Sequence, residues 1–452
     1  MNNSILLRIS GYSFFILLSI GSLLYGQTVQ AQQEAGDSLL TNASVDEVVR
    51  YALVHQPLVK QSAIDEAITG TSIRSKLADW YPQVNFNYNL QHNFQVQTSV
   101  IQGNPVKLGV DNTSALQFQL TQNIFNRDAL LASRTATDVR KASQLNSVNT
   151  RVTVAALASK AFYEVLTTIE QIKVADEDIL RLERSLQDAR SRYEAGITDK
   201  IDYKRATIAL NNARALRQSY QDLLKAKKEN LKNIIGYPSA QPIDLVYDSL
   251  KMEKEAIMDT LQQVDFNSRP EYQLLQTQRK LYEANVKYNK WSYLPNLYAF
   301  GAYNMNFQNN AFGKLYNTNY PNSYAGLTLS LPILKGGKRK ADIEQSEWEL
   351  KRLDWDIVSI KNDINSEYAS AMAAYKSNLV TYAAIKDNLD LAREVYDVIQ
   401  LQYKAGVKTY LEVITAETDL RTARINYFNT LNLLLSSKID VQKALGQINY
   451  QY

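Results

Sequence analysis

Tyr193-Glu194-Ala195-Gly196 and Tyr403-Lys404-Ala405-Gly406 are one motif written twice, 210 residues apart (403 − 193). Six residues beyond each glycine stands an acid, Asp202 or Glu412, and ten beyond stands an alanine, Ala206 or Ala416. The offset persists at Leu210/Leu420, Ala213/Ala423 and Gly236/Gly446. So long a stretch without an insertion marks a rigid element, and the residues between are helix formers. A repeat changes the fold assignment, because two copies of one unit build a different object from one long domain.

Upstream the repeat continues with small changes of offset. Pro57/Pro270 and Pro82/Pro295 lie 213 apart, while Leu120-Thr121 and Phe125 match Leu329-Ser330 and Leu334 at 209. Drifting offsets place the length changes in loops. Each half reads helix, strand, strand, long helix, turn, long helix. The first repeat spans 32–236, with strands near 83–97 and 114–122 and a helical hairpin near 127–235. The second spans 265–446, with strands near 296–308 and 323–333 and a hairpin near 338–445. Between them, 237–264 opens on the helix stop Gly236-Tyr237-Pro238, and 447–452 is a short tail.

A chain of 452 residues ordinarily suggests two or three domains. Here no linker rich in Pro, Gly or Ser divides it, and 16 Gly with 9 Pro favour long uninterrupted helices. The net charge is +4 with both signs interleaved, so no basic block points to nucleic acid. Lys335, Lys338, Arg339 and Lys340 cluster beside Gly336-Gly337 at a strand-to-helix turn. Without Walker spacing they read as a solvated or headgroup-facing turn. The absence of cysteine excludes disulfides, thiolate metal sites, a Cys nucleophile and a lipidated N-terminal Cys. His55 and His92 are isolated, and neither a Ser nucleophile elbow nor a dinucleotide fingerprint is present. No catalytic, cofactor or metal residue is therefore nominated, and an enzyme is not expected.

Arg8, the apolar stretch from Ile9 to Leu24 and the small-residue site Val29-Gln30-Ala31 read as a secretory signal over 1–31. A permanent anchor is the other reading, for which the stretch is short. Beyond it no run of about 18 apolar residues is evident, so no helix is expected to cross a bilayer.

After Pro82 the chain alternates with period two. Val84, Phe86, Tyr88 and Leu90 oppose Asn85, Asn87, Asn89 and Gln91; Leu116, Phe118 and Leu120 oppose Gln117, Gln119 and Thr121. In the second half Tyr303, Met305 and Phe307 oppose Asn304, Asn306 and Gln308, and Leu327, Leu329 and Leu331 oppose Thr328 and Ser330. Such strands are half-buried. They suit a soluble antiparallel sheet or a membrane barrel with lipid on one side and a wet lumen on the other. Four strands cannot close a barrel with an aqueous interior, and an open edge is not allowed in lipid. Strands in a membrane would have to be pooled by several chains, and three chains would give twelve.

No Gly or Pro occurs from about 127 to 193 or from about 338 to 403. At ~1.5 Å per residue each run makes a rod of roughly 100 Å. In the last helix Val413, Leu420, Tyr427, Leu434 and Val441 recur every seven residues, with Ala416, Ala423, Thr430, Ser437 and Ala444 three residues on. A seven-residue repeat gives left-handed coiled-coil packing. In the first half Tyr203, Leu210, Leu224 and Leu231 form the stripe, interrupted by Arg217 as a polar boundary or snorkelling side chain.

The secretory signal, the tandem repeats, the paired strands leading into long hairpins and the tip motif Tyr-x-x-Gly-x-x-x-x-x-Asp/Glu together resemble the TolC family. Leu329-Ser330-Leu331-Pro332-Ile333-Leu334 with Gly336-Gly337 looks like that family's strand-to-helix signature; the first-half copy, Leu120 to Asn126, lacks the glycines. The resemblance implies a mainly α homotrimer with a β-barrel part: a 12-stranded outer-membrane barrel set in lipid and a 12-helix periplasmic α-barrel. The segment 237–264 would be its equatorial belt. It implies the exit channel of tripartite efflux or type I secretion, working with a periplasmic adaptor (a membrane fusion protein) and an inner-membrane pump of RND or ABC type. It places the periplasmic gate at the tips, Tyr193 and Gly196 on the first and Tyr403, Gly406, Lys408 and Glu412 on the second. Tyr403 and Lys408 would hold the entrance closed against Asp202, and Glu412 would form an acidic ring. Thr415 stands at the next acidic position of that ring, and Lys408 lacks the bidentate fork of the commoner Arg. The same residues also suit plain structural roles, Tyr403 as tip packing and Asp202 and Glu412 as first-turn acids. A periplasmic coiled-coil adaptor or scaffold is the alternative, although one would ordinarily carry a single hairpin between small β domains.

Overall fold

The computed structural model describes residues 40–246 and 249–451, so the expected secretory segment lies outside the described residues. Thr41–Tyr452 forms one compact unit. Its first helix, α1 (Val45–His55), starts on a capping box between Ser44 and Glu47. Helix α2 (Pro57–Leu77) follows at once, with Pro57 in its first turn. Strand β1 (Gln83–His92), a small hairpin of β2 (Thr98–Ile101) and β3 (Asn104–Lys107), and β4 (Asn112–Phe125) come next. Two long helices complete the repeat: α3 (Arg127–Glu194) of 68 residues and α4 (Lys200–Ile235) of 36. After a short α5 (Ser249–Ala256) the order recurs as α6 (Pro270–Lys290), β5 (Asn296–Asn309), β6 (Asn322–Ser330), α7 (Lys338–Lys404) and α8 (Tyr410–Ala444). The chain is mainly helical with a minority of strands, and the two units share one order.

All four long strands join one antiparallel sheet in the order β1-β4-β5-β6, so the repeats meet at β4–β5. The register keeps the two faces apart. Val84 pairs with Leu120 and Phe86 with Phe118; Phe118 then pairs with Tyr303, Leu116 with Met305, and Leu297 with Leu329. The other face carries Asn87 opposite Gln117, Gln117 opposite Asn304, and Asn304 opposite Asn322. Side-chain amides bridge neighbours there, with Asn304 Nδ2 donating to Asn322 Oδ1 at 2.6 Å. Tyr298, Phe300 and Tyr324 share this second face by parity, so it is less uniformly amide-rich than the sequence suggested. The end of the Phe300 ring lies against Gly326, where a Cβ would sit 2.8 Å from Cζ.

Four local readings differ from the structure, the first being β4, which runs from Asn112 to Phe125 where 114–122 was expected. Strand β1 ends at His92 instead of continuing to 97, because Asn93 turns the chain and donates its N–H to Asp111 O at 2.6 Å. The β2–β3 hairpin was not expected. Strand β6 stops at Ser330, since Pro332 has no N–H to continue a ladder. One 18-residue window of α3 is also apolar enough to cross a bilayer, with mean hydropathy 1.3, contrary to expectation. Its burial (67 %) identifies a core helix packed by residues such as Val154, Ala158, Phe162 and Leu166.

Below the sheet, α2 packs along α3, α3 along α6 and α6 along α7. Further along the rods α4 packs on α3, α3 on α8 and α8 on α7. Val413, Leu420, Tyr427, Leu434 and Val441 are all buried. Arg217 interrupts the first-half stripe and bonds Asp176 across its own hairpin.

Each repeat closes on itself in the same way. Gly236 (φ +72°) ends α4 and lies against Gln56, the residue before Pro57; Gly446 (φ +71°) follows α8 and lies against Ser268, two before Pro270. A Cβ would meet backbone at 2.8 Å at Gly236 and at 2.6 Å at Gly446. Left-handed strain and steric overlap add at both positions. Gly236→Ala and Gly446→Ala should each lower the apparent melting temperature in detergent, whereas Gly70→Ala, with open space around it, should not. Equal melting of all three would contradict the close approach.

Candidate functional site

The two hairpin tips are built by the same backbone device. Gly196 (φ +70°) donates its N–H to Tyr193 O at 3.0 Å, and Ile197 donates to Arg192 O at 2.9 Å. Gly406 (φ +77°) donates to Tyr403 O at 3.0 Å, and Val407 donates to Gln402 O at 2.9 Å. These pairs of bonds define a Schellman motif, which uses a left-handed residue to satisfy the last carbonyls of a helix. Glycine is required at both positions for this reason.

The returning helices start differently. Asp199 precedes α4 without a side-chain cap bond. Thr409 opens α8 with a full capping box: Glu412 Oε2 accepts from the Thr409 N–H at 2.9 Å, and Thr409 Oγ1 accepts from the Glu412 N–H at 3.4 Å. Lys408 Nζ lies 2.6 Å from Glu412 Oε1. The Lys408 ammonium, then the Thr409 N–H and hydroxyl, hold the Glu412 carboxyl down to about 2. Lys408 thus pairs with its own helix, and Asp202, in the first turn of α4, lies close enough for its charge to act on the Tyr403 and Tyr410 phenols.

Tyr403 is half-buried and joins the two tips. Arg192 of α3 lies over its ring at 4.8 Å, and the Tyr410 ring is 5.9 Å away. Tyr410 is buried with Ala189 of α3 and Ala206 of α4. Tyr193, the first-tip counterpart of Tyr403, is exposed. The repeat is therefore symmetric in backbone and asymmetric in side chains.

Behind the tips lies a buried charge cluster that the sequence reading missed. Asp178 of α3 is 1 % exposed and Glu417 of α8 is 4 % exposed. Arg181 bonds Asp178 and approaches Glu417 Oε1 at 3.5 Å, while Arg421 Nε is 3.7 Å from Asp178 Oδ2. Arg424 of α8 reaches Glu177 of α3 at 2.5 Å. Burial pushes the Glu417 carboxyl up to about 7, only partly offset by Arg181. Burial also raises Asp178. A groove of about 460 Å³ runs past this cluster, lined by Arg205, Ile208, Asn212, Leu411, Ile414 and Glu417 among others.

The fold has counterparts among known proteins. The profile of the family described as "Outer membrane efflux protein" matches residues 48–237 and 266–447, one block per repeat. The chain belongs to the outer membrane efflux protein family. Outer membrane protein TolC of Escherichia coli K12 is 21 % identical over 433 residues, covering 92 % of this chain and 85 % of its own length. The alkaline protease secretion protein AprF of Pseudomonas aeruginosa is 21 % identical, covering 86 % of this chain and 80 % of its own. Among solved structures, the outer membrane protein VceC of Vibrio cholerae has TM-score 0.70 at 14 % identity, covering 89 % of this chain and 96 % of its own. The open-state MtrE outer membrane channel of Neisseria gonorrhoeae has TM-score 0.68 at 16 % identity, covering 93 % and 94 %. Like its family, this efflux protein is an outer-membrane exit channel that extends into the periplasm, and the family consists of transporters, not enzymes.

The cluster at the channel's end makes stability depend on pH. Glu417 has a folded pKa raised above its unfolded one, so its contribution is present below about 4.5 and fades as pH rises through about 7. The melting temperature of the purified protein should fall across that window, and Glu417→Gln should flatten the fall. The same slope in both proteins would show that Glu417 is already ionised in the fold.

Proposed function

We propose that three copies of this chain join edge to edge into a passive duct of twelve outer-membrane strands and twelve periplasmic helices. The observation that supports this most is the pair of unlike open edges. Among the described residues, strands β1 and β6 each pair with one neighbour only, and Val84, Phe86, Tyr88, Leu327 and Leu329 stand exposed along them. Helix α7 continues the β6 edge with exposed Trp348, Trp355, Val380, Leu391 and Leu401. Helices α2 and α4 continue the other edge with exposed Ile64, Ile68, Ile201 and Ile208. Unlike edges make a head-to-tail contact, which forms a ring when the rotation closes. A closed ring leaves no unpaired strand in lipid.

In this reading residues 1–31 direct export, 237–264 form a belt around the tunnel and 447–452 are a tail. The tips present Tyr193, Gly196, Asp202, Tyr403, Gly406, Lys408 and Glu412 to a periplasmic adaptor, which opens the entrance with an inner-membrane pump of RND or ABC type. Relatives named for toluene efflux and for protease secretion make both drug-sized and protein cargo compatible with this build. A coiled-coil adaptor would have no use for a sheet with one continuous apolar face.

The cysteine-free sequence permits a clean cross-linking test. One cysteine in β1 and one in β6, joined by a short bismaleimide, should give a ladder that ends at three chains. A ladder running past three, or none in membranes, would contradict the ring.

At the entrance Glu412 and Lys408 oppose each other's charge. Glu412→Gln should lower the cation preference of single channels, and Lys408→Gln should raise it. Unchanged selectivity in both would remove the pair from the constriction.

A further inference from the structure

We propose that the turn between β6 and α7 docks the phosphates of anionic phospholipids in the periplasm-facing leaflet. The proposal rests on the strands lying in the membrane. Leu327 and Leu329 are exposed on the apolar face of β6, and Leu331 and Ile333 are exposed in the linker that follows it. Ile333 is 89 % exposed and Leu334 is 88 % exposed. Lys335, Lys338 and Lys340 follow, all exposed.

The level of this turn is marked independently of the lysines. Ser330 pairs with Asn296, which brings Tyr293 and Leu294 beside the end of β6. Tyr81 stands just before β1 at the same end of the sheet. Tyr81 and Tyr293 are both exposed. Aromatic girdles of this kind sit at the boundary between hydrocarbon and headgroups in membrane barrels.

The turn is shaped by local bonds that leave its lysines outward. Gly336 and Gly337 have φ of +53° and +83°. The Arg339 guanidinium lies 5.0 Å from the Tyr293 ring centre and donates to the Pro332 carbonyl, so this cation is engaged in the fold. Lys338 has Asp342 at 3.8 Å and stays 72 % exposed. No acid lies in the first turn of α7.

A second copy of the chain is the competing cover for Ile333 and Leu334. Edge-to-edge packing would bring the end of α2, with exposed Arg74 and Lys76, towards this turn. Five exposed cations would then stand against three acids, Asp79, Asp342 and Glu344. An anion between the copies relieves that repulsion, and a phosphodiester carrying acyl chains also covers the two aliphatic side chains. Ammonium groups suit this as point charges at an anionic surface.

The test uses the full chain reconstituted into phosphatidylcholine vesicles with and without phosphatidylglycerol, then released for native mass spectrometry. Insertion should occur in both, with phosphatidylglycerol retained selectively. The combined Lys335→Gln, Lys338→Gln and Lys340→Gln variant should insert equally and retain at least about tenfold less of it. Undiminished retention would overturn the proposal while leaving the channel reading intact. So would an Ile333→Ser, Leu334→Ser variant that falls to monomers yet keeps its phosphatidylglycerol, because the pair would then be a seam between copies. Failure to enter either vesicle would overturn both readings.

Discussion

Every backbone N–H and C=O on the free side of an edge strand must find a partner if that strand lies in lipid. Water is absent there, and each unsatisfied group costs several kcal/mol. This one requirement organises the chain. The four-stranded sheet has two free edges, β1 and β6, and its apolar face is continuous across all three pairings. Such a sheet is neither a finished soluble layer nor a finished barrel. The long rods below it carry the same incompleteness, with aliphatic and indole side chains exposed along α7 on one edge and along α2 and α4 on the other.

Duplication gives the chain its regular spacing, and divergence gives it a working end. The Schellman turns at Gly196 and Gly406 repeat bond for bond, and Gly236 and Gly446 each lie against backbone just ahead of Pro57 or Pro270. These are backbone features, held by glycine's access to left-handed φ. Side chains depart from the symmetry at the tips. Only the second has the Thr409–Glu412 box and the Lys408 pair, and only its tyrosine is clasped by Arg192 and Tyr410. The contacts between tips run through Tyr403 and the Asp178–Glu417 cluster, so movement of one hairpin against the other has to disturb buried charge.

Much of the fold was legible because it rests on periodicity. Alternation at 84–90 and 303–307, the seven-residue rows of the last helix and the spacing of Gly and Pro are local signals. The mainly helical class and the repeated units follow from them. The β2–β3 hairpin was not legible, since four-residue strands carry too little alternation to stand out from a loop. The tip chemistry was legible only in part. An acid four residues after Lys408 is a visible helical pair, and the fold forms it; the resemblance added Asp202, which acts on Tyr403 from the other hairpin. Asp178, Arg181, Glu417 and Arg421 lie on two helices far apart in sequence, and nothing in either local pattern says that they meet. Tyr410, three residues before Val413 on the same stripe, was the one available hint.

The central claim is that the open edges are closed by other copies of the same chain. The mass of the particle extracted from outer membranes in mild detergent tests this most directly. Three chains per particle, without a further protein subunit, is the expected result. A single chain that keeps its mass and solubility when detergent is removed would mean that β1 and β6 tolerate water, and the edges would then require no partner.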